Sequence, residues 1–481
     1  MNLWNTQRIQ LSTAFCFWVA VSSSGQQFTS LASFNSINGN HPSAPLIQGL
    51  DGNFYGTTVQ GGSLDVGTVF RITPTGQLTK LHDFNDVIDG AFSYAGLMLA
   101  TNGNLYGVTN QGGAHNDGAI FQITRAGQFS TIYAFCSLPG CDDGSLPAAA
   151  LIQAADGNFY GTTSEGGANN AGSIFRITPA GKLTTLYSFC SLSNCADGSQ
   201  PIAPLVQGSD GNFYSTTFAG GAHQDGTVFK LTPSGQLTTL YSFCAEAACV
   251  DGKNPFGGGL IQGKDGNFYG TTIVGGTGNF GTVFKITSSG GFTTLHSFVF
   301  TDGESPYAGL VQATDGNFYG ITQIGGASDM GVIFQITPSG QLTTLYDLCS
   351  QSGCMDGSIG YGGLIQGTNG TLYGPAQYGG TSHACPGAFG GCGTIFSLEM
   401  GLGPFVETVP TSGKVGASVL ILGNDLSGAS KVIFNGTAAT FTILSNAAIK
   451  ATVPTGATSG PVGVTTPTGT LRSNKTFRVA R

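Results

Sequence analysis

Asp51 and Asn53 stand two residues apart in the stretch DGNFYGTT. Two side-chain oxygens at that spacing could share a calcium ion or brace a tight turn. The stretch returns as DGNFYGTT at Asp156, DGNFYSTT at Asp210, DGNFYGTT at Asp265 and DGNFYGIT at Asp315. Weaker copies are NGNLYGVT at Asn102 and NGTLYGPA at Asn369. Asp-Gly and Asn-Gly tolerate positive φ and are the strongest short hairpin signal in a sequence. Asn in two copies preserves a turn and would weaken a calcium site, so the turn is the preferred reading.

Other side chains could also do chemistry. With Cys16 set aside, ten cysteines fall in close pairs: Cys136 and Cys141, Cys190 and Cys195, Cys244 and Cys249, Cys349 and Cys354, Cys385 and Cys392. The spacers lack His partners for zinc, and the chain reads as exported, so local disulfides are expected. Eleven of the 20 Asp lie in two turn positions: the DGN turns and an Asp-Gly before each repeat (Asp89, Asp143, Asp197, Asp251, Asp302, Asp356). The five Glu are scattered. A glycosidase needs two carboxylates flanking one bond, and no such pair stands out, although a ring fold could assemble one. His115 with Asp117 and His223 with Asp225 occupy equivalent loops in non-adjacent repeats. They are read as solvated loop residues in preference to a metal site. No Ser/His/Asp arrangement, phosphate loop or nucleotide fingerprint is visible. Catalytic, cofactor-binding and metal-ligating residues are therefore assigned as none, and no cofactor is expected.

The elements that must position these residues follow from the repeat. Successive DGN positions are 51, 54, 54, 55, 50 and 54 residues apart. One unit, from Ala44, holds four short segments rich in Val, Ile, Thr, Phe and Tyr, separated by Gly, Asn, Asp and Pro turns. Four antiparallel strands per fifty residues make one propeller blade. The first three strand types occur seven times. The fourth, LTTLYSF, follows only the first six units, and its missing copy, FTSLASF at Phe28, precedes the first. An all-β, seven-bladed propeller is predicted, with the N-terminal strand completing the last blade and leaving no open sheet edge. From about residue 401 the repeat is lost and apolar–polar alternation suggests a small β-sandwich.

In such a disc the DGN and TPSGQ turns share one face, and the variable second-to-third loops and inter-blade connections share the other. Function on a scaffold usually lives on its variable loops. One repeat position, at the entry to the innermost strand, carries Ser43, Tyr94, Ala148, Ile202, Phe256, Tyr307 and Tyr361. Phe256, Tyr307 and Tyr361 come from consecutive blades and should form an aromatic arc at the channel mouth. With Tyr94 they are the candidate ligand-binding residues, against the alternative that the rings pack between blades. Small residues follow them (FGGG, YAG, YGG) and would leave ring faces accessible.

Only 9% of residues are charged, net charge is −8 and no basic stripe appears, so nucleic acid is not an expected partner. Arg8, an apolar run from about residue 11 to 21 and small residues after it read as a signal peptide over residues 1–25. No other segment is long enough to span a membrane. The domains expected are the signal peptide, the propeller over 26–400 and the sandwich over 401–481. The unit LIQG.DGNFYGTT..GG….GTVF.ITPSG.LTTLYSF resembles the GloVer tandem repeat of exported bacterial proteins, with a looser likeness to kelch repeats lacking their Trp. The tail, carrying VPTSGKVGASVLILGNDL, VIFNGTAATF and IKATVPTGATSGPVGVTTPTG, resembles the IPT/TIG immunoglobulin-like domain. That resemblance implies a spacer or surface-association module, and neither family brings a catalytic residue. The function expected is a secreted or cell-surface binding module for an extracellular glycan or surface protein, acting as a monomer. A polysaccharide hydrolase or lyase using the channel mouth and a purely structural surface protein are the alternatives.

Overall fold

The computed structural model describes residues 26–382, 384–385 and 390–480; the expected signal peptide lies outside them. Each repeat forms one antiparallel four-stranded sheet. In the first, Ile47–Gln48, Phe54–Thr58, Thr68–Ile72 and Leu78–Asp83 follow in chain order across the sheet. Five further sheets repeat this order. The innermost strand is two residues long in every blade, shorter than the apolar run PLIQG suggests. The residues before it are taken up by the neighbouring blade. Thr57 donates to the carbonyls of Ser93 and Ala95, and Gly96 lies against the Pro45 ring.

The NFYG segment explains how the blades pack. The Tyr of one blade meets the Phe of the next: Tyr106 with Phe159 (4.5 Å between centroids), Tyr160 with Phe213 (4.4 Å) and Tyr214 with Phe268 (4.0 Å). The Gly after the Tyr is needed for space. A Cβ on Gly56 would come 2.6 Å from the Phe70 ring. Outside these rings a Gln side chain links neighbours: Gln153 accepts from Thr101 N–H, Gln207 from Ala155 N–H and Gln262 from Ser209 N–H.

The same contacts join the seventh sheet to the first. Gln48 accepts from Thr368 N–H at 2.9 Å, and Phe54 packs on Tyr373 at 4.2 Å. The seventh sheet, Ile365–Gln366, Leu372–Ala376 and Thr394–Glu399, takes its outer strand from Gln27–Ser33. That strand pairs antiparallel with Thr394–Glu399 and carries a bulge between Ser30 and Ala32. The outer strands of the other blades carry the equivalent bulge, as between Lys80 and His82, which pair with the successive residues Phe70 and Val69. Phe28 stacks on Tyr346 of the sixth blade at 3.9 Å.

All five expected disulfides form within their pairs. Cys136 is bonded to Cys141, Cys190 to Cys195, Cys244 to Cys249 and Cys349 to Cys354. Each of these four staples a short turn that ends on its second cysteine, Cys141, Cys195, Cys249 or Cys354, in an inter-blade connection. The fifth bond joins Cys385 to Cys392 in the long loop of the seventh blade, where Cys392 is fully buried.

After the seventh blade come two four-stranded sheets, one holding Ser418–Leu422 and Ala448–Thr452, the other Lys431–Phe434 and Val462–Thr466, and a two-stranded parallel pair, Ser412–Lys414 with Arg478–Ala480. Val419, Ile421, Val432, Phe434, Ile449 and Val464 fill the space between them. This sandwich packs on the DGN face. Leu420, Leu422 and Ala448 join a buried cluster with Leu50, Leu97 and Leu99. Ser445 Oγ donates to Leu50 O, Asn424 Nδ2 to Thr368 Oγ1 (3.1 Å) and Asn474 Nδ2 to Gln312 O (2.7 Å). Ser412 Oγ reaches Gln207 Oε1 at 3.5 Å. These contacts fall on blades one, two, four, six and seven.

Candidate ligand-binding cavity

The carboxylates are occupied by structure. Asp51 accepts from Asn53 N–H (3.3 Å), Asn53 Nδ2 (2.8 Å) and Tyr55 OH (2.8 Å). The same set recurs at Asp156, Asp210, Asp265 and Asp315. In the two variant copies the roles reverse, and Asn102 and Asn369 donate to Tyr106 and Tyr373. Gly52 and its equivalents have φ near +80° to +96°. DGN is thus a turn braced by its own side chains.

The Asp of the inter-blade Asp-Gly is more than a turn residue. Asp143 is fully buried and accepts from Tyr133 OH (2.7 Å), Ser137 N–H (3.0 Å), Ser137 Oγ (2.9 Å) and Leu138 N–H (3.1 Å). Asp197, Asp251 and Asp356 repeat this with Tyr187, Tyr241 and Tyr346. Where the connection lacks a disulfide the partner is a histidine: His82 on Asp89 (2.8 Å) and His296 on Asp302 (3.0 Å).

Burial alone would raise the carboxyls of Asp143, Asp197, Asp210 and Asp265. The hydrogen bonds from Tyr, Ser, Asn and backbone N–H outweigh it and hold all four below the ordinary value. A depressed folded pKa adds stability above the ordinary carboxylate range, and that stability is lost as pH falls through the folded value. Melting temperature should therefore be flat from about pH 7 to pH 5 and fall steeply below about pH 4. Asp143→Asn should lower the plateau and shrink the acid-dependent drop. An unchanged acid profile in thermal melts of that variant would remove Asp143 from the account.

Asp117 lies with Cys136 and Cys141, and Asp225 with Cys244 and Cys249, with ligand atoms within 4.8 Å in each group. Each sulfur is bonded to its partner, so each group offers one carboxylate and no thiolate. His115 and His223 are exposed and belong to neither group.

On the variable face the channel widens into a cavity of about 580 Å³. All seven residues of the one repeat position line it: Ser43, Tyr94, Ala148, Ile202, Phe256, Tyr307 and Tyr361. The rings of blades five to seven touch each other, not only their blades. Phe256 meets Tyr307 at 4.6 Å, Tyr307 meets Tyr361 at 4.9 Å, and Phe256 meets Tyr361 at 6.2 Å. Tyr94 is 42% exposed and completes the apolar side. Burial, with Tyr307 and Tyr94 close by, holds the Tyr361 phenol well above its ordinary value, and burial raises Tyr94 and Tyr307. All three are neutral hydroxyls at physiological pH.

Blades two to four add both kinds of side chain: apolar Ala148, Ile202 and Phe218, and polar Asn110, Ser164 and Gln200, with exposed Glu165 the only carboxylate of the lining among the described residues. None of these polar residues is among those expected from the sequence, because residue type varies at the repeat positions that carry them: Asn110 and Ser164 stand where other blades have Val59, Phe218 and Ile273. The small residues after the rings have a different cause from the one expected. Gly258 and Gly309 approach backbone to backbone, so that a Cβ on either would overlap the other.

The profile of the Gloeobacter/Verrucomicrobia repeat matches residues 16–154 and 147–386, and that of the IPT/TIG domain matches residues 405–479. The chain belongs to the Gloeobacter/Verrucomicrobia repeat family. No curated protein matches it. Among solved structures, this family member is similar to the extracellular domain of a protein named as a putative hybrid two-component system from B. thetaiotaomicron. Identity is 10% and TM-score 0.51, over 92% of this chain and 57% of that one. A protein named as a putative gluconolactonase matches at 13% identity and TM-score 0.39, over 79% of this chain and 94% of that one. The first likeness agrees with the propeller architecture. Among the described residues, no helix is long and apolar enough to cross a membrane.

Proposed function

We propose that this repeat-family protein is a secreted or cell-surface binding module whose cavity on the variable face takes a neutral, hydroxyl-rich ring ligand, a carbohydrate. The observation that carries the reading is the mixed, neutral lining: touching aromatic rings from blades five to seven share one cavity with the polar side chains of Asn110, Ser164 and Gln200. Sugar rings present apolar faces for stacking and equatorial hydroxyls for neutral donors and acceptors. A charged ligand would find no fixed counter-charge except Glu165. The disulfides and the IPT/TIG domain accord with an extracellular setting.

The hydrolase or lyase reading is weaker, because Glu165 has no carboxylate partner across the cavity and hydrolysis of a glycosidic bond uses two. The test is calorimetric titration of residues 26–481 with a panel of soluble oligosaccharides, followed by product analysis. Micromolar to millimolar binding without turnover is expected. Tyr361→Ala and Phe256→Ala should each weaken it by about tenfold while leaving the melting temperature within a few degrees, as stacking losses of about 1–1.5 kcal/mol imply. Normal binding by all such variants, or unfolding by each, would return the rings to a packing role.

A further inference from the structure

The sandwich covers the channel at its DGN end. The C-terminal sandwich touches Leu50 in blade one, Gln207 in blade four, Gln312 in blade six and Thr368 in blade seven. Blades one and four lie on opposite sides of a seven-blade disc. A compact domain that reaches both must lie across the axis. Consistent with this, a second, smaller cavity of about 230 Å³ is walled by Ile47, Ile261 and Ile365 of the innermost strands and by Val406, Thr408 and Asn474 of the sandwich. Leu310 and Leu364 border both cavities, which therefore lie one behind the other. A chain entering the wide cavity from the variable face therefore runs into the innermost strands and the sandwich behind them, so the cavity is a blind pocket along the channel axis.

A polymer cannot thread a blind pocket. An internal segment could enter only by folding back on itself at the mouth, whereas a chain end enters directly. We infer that the site recognises the terminal units of a glycan chain and not its interior. This inference rests on the carbohydrate reading above. A pocket of this volume takes about two or three pyranose rings, within the ordinary range for small-molecule sites. Ser43, Tyr94, Ile202 and the aromatic arc surround the entering end on every side, which fits a single chain terminus and not a groove running across the face.

The experiment uses residues 26–481 and defined β-1,3-glucan, β-1,4-glucan, xylan, mannan and chitin oligosaccharides of two to eight units, with the parent polymers. Affinity is expressed per mole of chain. End recognition predicts that affinity levels off by about three units, because further units lie outside the pocket and add no contact. Recognition of internal trisaccharide segments predicts a rise of about sixfold from three units to eight, since an octamer offers about six overlapping registers. That rise, or polymers binding better per mole than every oligosaccharide, overturns the end-on inference and leaves the carbohydrate reading standing. Plateau affinities lowered about tenfold by Tyr361→Ala support it. A plateau insensitive to Tyr361→Ala places the sugar elsewhere and overturns it. Absence of binding to every member of the panel at millimolar concentration overturns the carbohydrate reading and the end-on inference together.

Discussion

Deleting residues 26–36 should lower the melting temperature by on the order of 10 °C and expose the seventh blade to proteolysis. The segment supplies the outer strand of that blade through six paired positions with Thr394–Glu399. It also supplies Phe34, which is fully buried against Phe70, and Phe28, which stacks on Tyr346 and Phe396. Loss of one buried Phe costs about 3–5 kcal/mol. Removing the strand also leaves Thr394–Glu399 as an unpaired sheet edge. The checks are differential scanning calorimetry and limited proteolysis of the truncated protein beside the intact one. A melting temperature within about 2 °C of the intact protein would show that the last blade does not depend on this strand.

Gly258→Ala should lower stability by about 3 kcal/mol, at the upper end for overpacking. The new Cβ would overlap the backbone of Ala308 and Gly309 in the next blade, which cannot move aside as a flexible side chain could. Gly309→Ala makes the reciprocal clash with Gly258, so the two effects should not add. Gly157→Ala is the comparison. It sits at φ +83° with nothing within 4 Å of its Cβ, so it tests left-handed strain alone, about 1–2 kcal/mol. Denaturant midpoints for the three variants separate the two causes. Equal losses at Gly258 and Gly157 would show that the blades can shift apart to admit the methyl.

The blades are legible in the sequence because each one restates the same residues, so a strand missing at one end can be found at the other. The local disulfides are legible too, since Cys190 and Cys195, or Cys349 and Cys354, lie within one connection and need no distant partner. The aromatic wall is legible because aligning seven copies isolates Tyr94, Phe256, Tyr307 and Tyr361 at one position, and the fold converts one position into one ring around the axis. Relations between units leave no such trace. Asp143 reads as a turn residue, and its burial depends on Tyr133 in the preceding outer strand. Gly258 reads as a small neighbour of an aromatic ring, and the Gly309 backbone that demands it lies in another blade. The run Val419-Leu420-Ile421-Leu422 says that both faces of its strand are covered, but not that Leu420 and Leu422 meet Leu50 of the first blade.

The pairing of Gln27–Ser33 with Thr394–Glu399 also sets an order of events during synthesis. The first strand of the array to leave the ribosome has its partner in the last strand of the array. Six blades can each complete from neighbouring sequence, at low contact order. The seventh waits for nearly the whole array, and until then its two halves carry unsatisfied edges. The slow step in folding should therefore be a single late, non-local docking event, and aggregation should be most severe for nascent chains interrupted before residue 394, in which the N-terminal strand has nothing to pair with.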